Sequence, residues 1–563
     1  MADAPPTAPA SDPTAPAIDT TAPAIDPAEL ATCIRVLETF RNDLESFKLP
    51  QFKALRKAVL PLCEDIRSRV FHGNDVQTHD QKRLKKQERK RKVAQAAALD
   101  RQFINNTKLR KQRLDALDSL TAANPAFPQI PDGAVPLLAN EAIEDTPDEP
   151  MAGEDDEPQL HGFRSCYVCK KRFDTLHHFY DQLCPECATL NFEKRLQSAD
   201  LTGYKALVTG ARVKIGYHTA LKLLRANAVV VATSRFPHDA AIRYAKEPDY
   251  DSWKDRLHVY GMDLRDLAGV EAFMTNIGQL FGWLDIVINN ATQTIRRPTA
   301  YYQHLLENER TRLDEKPLSI QGILKENAKF QHTVQSSGPL MLGTSEPSSL
   351  ATTAGLASTS KSAEMSQLPV HSEDALPNDE KATLFPVAQL DTNAQQVDLR
   401  STNSWKLKID HVESPELAEV FAINTLAPFI LNKRAIQLFA ESPNAQKFII
   451  NVSAMEGKFY RYKTPHHPHT NMAKAAVNMM TRTCADDLAT RGIYMNSVDT
   501  GWINDENPRE KAQAIAKEHN FQTPLDEIDA AARILDPIFG GFQVSPPTFA
   551  AGQFFKDYLR SEW

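Results

Sequence analysis

Apolar residues recur along this chain in several distinct rhythms. Over residues 30–47 they fall at helical spacing, with Leu30, Ile34, Leu37, Phe40, Leu44 and Phe47 on one face. Asp26 and Pro27 supply an N-cap and a first helical residue, so a helix is predicted from Pro27. A second helical stretch, about 51–70, is interrupted at Pro61, and the two amphipathic helices are expected to pack as a hairpin. A polar helical pattern then reaches about Leu117. From residue 205 the rhythm changes to short apolar runs: KALVT, AVVVAT, LHVYG, the middle of GWLDIVINN, KFIINV and IYMNSV. β-Branched runs of this length mark strands buried on both faces. Between the first two, Ile215, Ala220, Leu223 and Leu224 return to helical spacing. Strand, turn, helix, strand is a βαβ unit, the crossover that a parallel pair requires.

These patterns divide the 563 residues. Residues 1–26, rich in Ala, Pro, Thr and Asp, are expected to be disordered. Residues 27–120 form a helical region carrying the basic run KRLKKQERKRK (82–92), and 121–160 an acidic, Pro-containing linker. A cysteine-rich knuckle spans 161–199, and α/β segments span 200–292 and 405–563. Between them, 293–404 reads as an insertion, largely disordered because 335–400 is dominated by Ser, Thr, Pro, Ala and Gln.

The net charge of −7 excludes a protein that binds polyanions with its whole surface. No apolar run approaches a membrane span, and the N-terminus has neither a basic n-region nor an apolar h-region. The basic run reads as a solvated helix, a nuclear-localisation signal or a nucleic-acid contact. It has no interleaved aromatic residue to stack on bases, so nucleic acid is disfavoured as a partner.

Four of the seven cysteines form two pairs, Cys166-x2-Cys169 and Cys184-x2-Cys187. Four thiolates at this spacing suit tetrahedral Zn²⁺ in a closed, structural shell, with Phe173 and Phe179 as a mini-core. His177 and His178 could replace a cysteine in the shell, but they read better as surface residues. Paired CxxC motifs point to a reducing compartment, cytosol or nucleus. The turn from Thr209-Gly210 to Gly216 opens a helix whose N-terminal N–H groups favour a phosphate.

From residue 201 onward the chain resembles the short-chain dehydrogenase/reductase family. Thr209-Gly210 and Gly216 match the outer glycines of the family's TGxxxGxG turn, with Lys214 at the middle glycine. Met262-Asp263-Leu264, Asn289-Asn290-Ala291, Asn424, Lys474 and the Thr500-Gly501 step follow in family order. The resemblance implies an α/β, doubly wound Rossmann fold, here joined to a small four-cysteine zinc knuckle, a helical N-terminal region and disordered segments. It implies cofactor contacts from Thr209, Gly210, Arg212, Lys214, Ile215, Gly216, Ser234, Arg235, Asp263, Leu264, Asn290, Ala291, Lys474 and Gly501. Thr233-Ser234-Arg235 ends the second strand without an acid, and Arg212 and Lys214 add charge, so NADP(H) is expected over NAD.

In the family, a Tyr four residues before the Lys is the proton donor, assisted by a Ser and an Asn. Here Asn424 and Lys474 stand, but Thr470 occupies the Tyr position and Ala454 the Ser position. Ser453 is one residue earlier and is a candidate only if the strand end is bulged. Replacement donors lie in GKFYRYKTPHHPHTNMAK: His467, seven residues before Lys474 and so on its helical face, His469 and Tyr460. The catalytic set expected is therefore Asn424, Ser453, His467, Thr470 and Lys474. The resulting expectation is an NADP(H)-dependent oxidoreductase acting on a small-molecule carbonyl or alcohol. The alternative is a non-catalytic NADP-binding sensor or scaffold acting through protein partners of the zinc knuckle and N-terminal helices; a protein partner and a homo-oligomer are the further partner expectations.

Overall fold

The computed structural model describes residues 25–71, 76–123, 159–336, 361–387, 389–391, 395–459, 462–504, 506–508 and 522–563. The expected disorder of 1–26 and the acidic linker 121–160 fall almost wholly outside these residues, as does Tyr460. The chain divides into two units, residues 1–95 and 96–563.

In the first unit, α1 (Pro27–Asn42) starts as expected, with the Asp26 side chain accepting the N–H of Ala28. Phe40 is buried against Phe47 and Phe52 at ring distances of 5.1 and 4.8 Å. Pro61 lies within α2 (Lys53–Asp65) and does not interrupt it; the helix instead widens into a π turn over Ile66–Val70. α3 (Val76–Asn105), which runs past the end of this unit at Gln95, carries the basic run, whose side chains are exposed.

In the second unit, α4 (Lys108–Ala123) precedes an antiparallel hairpin, β1 (Gln159–Ser165) and β2 (Arg172–Thr175), and helix α5 (Pro185–Leu196). The hairpin and α5 make the knuckle. The α/β body then runs β3 (Lys205–Thr209), α6 (Lys214–Arg225), β4 (Val229–Ser234), α7 (Pro237–Tyr244), α8 (Tyr250–Trp253), β5 (Leu257–Gly261), α9 (Leu267–Phe281) and β6 (Ile286–Asn289). The insertion contributes α10 (Gln303–Arg310), α11 (Leu318–Ser336), α12 (Lys361–Met365) and α13 (Asn378–Leu384). The body resumes with α14 (Ser414–Phe421), α15 (Ala427–Ala440), β7 (Lys447–Ser453), α16 (Pro468–Ala489), β8 (Ile493–Asp499), α17 (Glu527–Phe542), β9 (Phe554–Lys556) and β10 (Leu559–Ser561).

The sheet order is β10-β9-β8-β7-β6-β3-β4-β5, parallel throughout except for β10 on β9. Both faces are apolar, as the sequence predicts. Ala206, Val208, Val230, Ala232, Ile288 and Ile450 join one core with residues of α6 and α17. Leu207, Val231, Val287, Ile449 and Met495 join the other with residues of α9 and α15. The strand order reverses between β3 and β6, and a crevice opens there beyond the carboxyl ends of the strands, where doubly wound sheets bind ligands.

Of the insertion, 337–360, 388 and 392–394 lie outside the described residues. Over its described residues it is packed, not open chain. Phe236, Tyr301, Tyr302, Leu305, Ala363 and Phe385 form a small core of their own. Arg296 pairs with Asp374 at 2.5 Å with both side chains buried, and with Glu419 at 3.0 Å. Helix α11 covers the sheet edge at β5, where the Asn327 side chain accepts the N–H of Gly261 at 2.8 Å. A few buried aromatic residues and ion pairs outweigh a composition that, averaged over the segment, reads as disordered.

Candidate functional site

A cleft of about 740 Å³ lies at the carboxyl ends of the parallel strands. It brings together most of the residues singled out from sequence: Gly210, Arg212, Lys214, Ile215, Gly216, Ser234, Arg235, Asp263, Leu264, Asn290, Ala291, Ser453, Thr470, Lys474 and Gly501 line it. Thr209, Asn424 and His467 do not.

The floor of the cleft is the turn between β3 and α6. Gly210 has φ +67°, and a Cβ there would meet Ala291 at 2.9 Å. A Cβ on Gly216 would run into the Asn290 side chain and the Gly210 carbonyl oxygen, so this approach requires glycine. Lys214, which stands at the middle-glycine position, has a left-handed backbone with φ 55°. A lysine held there stores strain of about 1 kcal/mol or more. Val213 provides no side-chain cap, which leaves the first N–H groups of α6 facing the cleft. Thr209 works from behind: its hydroxyl oxygen accepts the N–H groups of Asn290 and Ala291, each at 3.0 Å. That orders the turn after β6 rather than contacting a ligand.

The three cations differ in their surroundings. Arg212 donates to Asp239 at 2.8 Å, which neutralises much of its charge. Arg235 donates to the Tyr302 hydroxyl at 2.6 Å and lies over that ring at 4.4 Å. Lys214 lines the cleft beside the α6 N-terminus. Asp263 is held by Arg265 at 2.7 Å, and its carboxyl lies below the usual range because hydrogen bonds and charge from Arg265 and Arg235 outweigh burial.

On the catalytic side, Lys474 is buried on α16 and donates to the Val452 carbonyl at 2.8 Å. Burial pushes its ammonium down to about 8, against the opposing charges of Glu456 and Asp499. The Thr470 hydroxyl, also buried, has no hydrogen-bond partner among the described residues. β7 runs unbulged to Ser453, whose hydroxyl donates to the Asn478 side chain at 2.6 Å. Ser453 is therefore committed to α16, and Ala454 lines the cleft where the family has its serine. Asn424 sits in a π turn between α14 and α15, with its side chain spent on the N–H and carbonyl of Gln293 at 2.7 and 3.1 Å.

His467 does not share the Lys474 face. It caps α16 in the left-handed region, φ 44°, and its ring stacks on Trp405. Burial holds its imidazolium below the ordinary range. His469 points elsewhere, its Nε2 3.4 Å from a Glu416 carboxylate oxygen, both buried. Glu456, which the sequence reading missed, does line the cleft. Burial raises its carboxyl pKa, the Asp499 charge adds to this, and Lys463 and Lys474 oppose it. The Lys463 ammonium donates to the carbonyls of Met455 and Glu456 at 2.7 and 2.9 Å and pins that turn. An acid one residue before Gly457, beside a missing serine, was the available signal. Tyr167 also lines the cleft, and nothing local to the sequence announces that contact.

The knuckle gathers Cys166, Cys169, Cys184 and Cys187 with all sulfur atoms within 4.8 Å of one another. Cys169 and Cys184 are 3.6 Å apart. Tetrahedral zinc at about 2.3 Å from each sulfur needs sulfurs roughly 3.8 Å apart, so the donor set fits.

The family model for short chain dehydrogenase matches residues 204–309, and that for Enoyl-(Acyl carrier protein) reductase matches 398–534. Protein R665 of Acanthamoeba polyphaga mimivirus is 31% identical over 392 residues, 67% of this chain and 71% of that one. A fatty acyl-CoA reductase of Mycobacterium tuberculosis is 33% identical over 112 residues, 19% of this chain and 35% of that one. Among solved structures, a short chain dehydrogenase of Burkholderia cenocepacia in complex with NADP is 17% identical, covering 60% of this chain and 91% of that one at a TM-score of 0.35. With the sheet order and the cleft described above, the two family matches define a Rossmann-type oxidoreductase. The chain belongs to the short-chain dehydrogenase family.

Proposed function

We propose that this protein is an NADP(H)-dependent oxidoreductase that acts on a small-molecule carbonyl or alcohol with a proton donor other than the family's tyrosine. The observation that carries the reading is the convergence of the Gly210–Gly216 turn, Arg235 and Lys474 on one cleft. When bound, the nicotinamide supplies or accepts the hydride. The N–H groups at the start of α6 bind the pyrophosphate, and Lys214 adds charge beside it. Arg235 pairs with the 2′-phosphate, a charge-assisted contact that NAD lacks. Arg212 contributes less, because Asp239 already balances it. Lys474 holds the nicotinamide ribose, and the unpartnered Thr470 hydroxyl offers a further hydrogen bond there. Glu456 carries the proton. Its raised carboxyl stays neutral nearer to physiological pH than an exposed glutamate, which fits a general acid. Reduction is the favoured direction, in keeping with the reductase activity in the name of the mycobacterial relative. The four cysteines bind a structural zinc.

A second reading, a non-catalytic NADP(H)-binding sensor or scaffold, draws on Ala454 and Thr470, which remove two of the family's reacting groups. Calorimetry with NADPH and NADH, followed by a carbonyl panel, separates the two. The enzyme reading expects NADPH to bind more tightly, Arg235→Asp to reverse that order, and at least one carbonyl to consume NADPH. Tight NADPH binding with no turnover across the panel favours the sensor. Equal affinities for the two nucleotides overturn the NADP assignment.

A further inference from the structure

We infer that the cysteine knuckle is a wall of the cofactor cleft, and that its metal occupancy and the cofactor affinity are thermodynamically coupled through Tyr167. The inference rests on the NADP(H) reading above and goes beyond it, since the short-chain dehydrogenase matches begin at residue 204, after the knuckle.

Contacts at three places carry it. Tyr167 follows the ligand Cys166 directly, lines the cleft, and accepts the Trp502 N–H on its hydroxyl at 3.0 Å. Trp502 follows Gly501, which has φ +84° and donates its own N–H to the Asp499 carboxylate at 2.7 Å. The exit from β8, which forms the cleft wall from Asp499 to Trp502, is thus held from one side by Asp499 and from the other by the knuckle. At the phosphate end, Ile215 in the first turn of α6 packs against the knuckle core together with Ile503. Below these, Arg195 of α5 donates to Asp526 and Asp529 at 2.6 and 3.1 Å, and the Tyr180 hydroxyl donates to Asp529 at 2.5 Å. The knuckle is therefore fixed to α17 while it touches the cleft at two places.

The segment between the cysteine pairs packs in a small apolar core, and the four thiolates, once they share a metal, clamp the turn that carries Tyr167. The Tyr167 N–H donates to the Gln182 carbonyl at 2.8 Å, Arg164 pairs with Asp181 at 3.3 Å, and the thiolate shell adds a further link between the two halves. With the metal gone, Tyr167 is no longer held in register, and the Trp502 N–H loses its acceptor. Tyr167 is a positioning residue: it acts on the cofactor through the turn it orders. Coupling of this kind is reciprocal, so the factor by which metal improves cofactor binding is the factor by which cofactor improves metal binding.

The test uses the full chain loaded with Zn²⁺, with NADPH as the ligand. Removing the metal with a chelator is expected to weaken NADPH binding by about 3–10-fold, the size one net hydrogen bond carries. Saturating NADPH is expected to slow zinc transfer to a chromophoric chelator. With Co²⁺ in place of zinc, NADPH is expected to shift the visible spectrum of the thiolate site. Tyr167→Phe keeps the ring and loses the acceptor. It should retain one metal per chain, bind NADPH about 3–10-fold more weakly, and respond less to metal removal than the parent. A merely structural tyrosine would give independent, additive effects. The inference is overturned if NADPH affinity is indifferent to the metal and NADPH leaves zinc release unchanged. The zinc-release arm needs no variant, so it decides the matter even if Tyr167→Phe fails to fold. If the zinc-loaded parent does not bind NADPH at all, the cofactor reading fails and the coupling falls with it. NADPH binding that is tight but independent of metal refutes the coupling alone.

Discussion

The imidazole of His467 lies flat on the indole of Trp405, with ring centroids 3.8 Å apart and planes 6° from parallel. Its Nδ1 is 2.9 Å from the Trp405 carbonyl oxygen, and its backbone N–H donates to Leu407 at 2.8 Å. A histidine so engaged with the segment before α14 locks that segment to the α16 N-terminus. His467→Gln is therefore expected to leave the pH–rate profile unchanged. Loss of the ring stack should lower stability by about 0.5–1.5 kcal/mol. A change of more than tenfold in kcat/KM, with the acid limb displaced, would return His467 to the reaction.

Glu456→Gln should do the opposite. The neutral carboxyl is the donor, so reduction should fall as pH rises through its raised pKa. The amide cannot donate in that way, and loss of a general acid removes roughly 10²–10⁴ in rate. NADPH affinity, measured separately, should hold. The kcat/KM profile across pH checks this; an unchanged alkaline limb in the variant would exclude Glu456.

Lys474 makes a prediction about stability as well as binding. Burial pulls its pKa down to about 8 from an unfolded value of about 10.5. Between these values the unfolded chain binds more protons, so this lysine makes stability rise with pH in that window. Below it the fold carries the full burden of a buried charge, on the order of 3 kcal/mol. Lys474→Met should therefore weaken NADPH binding yet raise the melting temperature at pH 7, and the gain should fade towards pH 10. Unchanged NADPH affinity would remove Lys474 from the site.

The parallel sheet and its glycine turn were legible because both faces of the strands repeat apolar residues and because Gly210 and Gly216 have no room for a side chain. Lys474 and Thr470 were legible for a similar reason, since one helix fixes their spacing. Helical spacing places His467 on the Lys474 face, but the helix begins at Pro468: His467 is its left-handed N-cap, and its ring stacks on Trp405. Ser453 and Asn424 were found in order, but sequence gives no sign that Asn478 and the Gln293 backbone already occupy their polar atoms. Tyr167 and Trp502 are 335 residues apart, and only the fold brings them together.

Asp374 tests the packing of the insertion's described residues; the stretch 337–360 lies outside them. This buried carboxylate accepts from Arg296 at 2.5 Å and from the backbone N–H groups of Val370, His371 and Thr299 at 3.0–3.1 Å. Its pKa is lowered because those partners outweigh burial. A depressed carboxyl contributes stability above its unfolded pKa and loses it as pH falls through the folded one. The segment should therefore loosen first in acid. Asp374→Ala leaves Arg296 buried with only Glu419 beside it among the described carboxylates, and breaking such a pair typically removes about 3–5 kcal/mol. The loss should be local, because the sheet does not depend on this pair. Hydrogen exchange should accelerate over 296–310 and 361–404 while β3, β6 and β7 stay protected. Tyr302 lies in the same small core and receives the Arg235 guanidinium, so NADPH affinity should fall along with that protection. Exchange in 361–404 that is as fast in the parent as in Asp374→Ala would mean that this segment does not stay packed in solution.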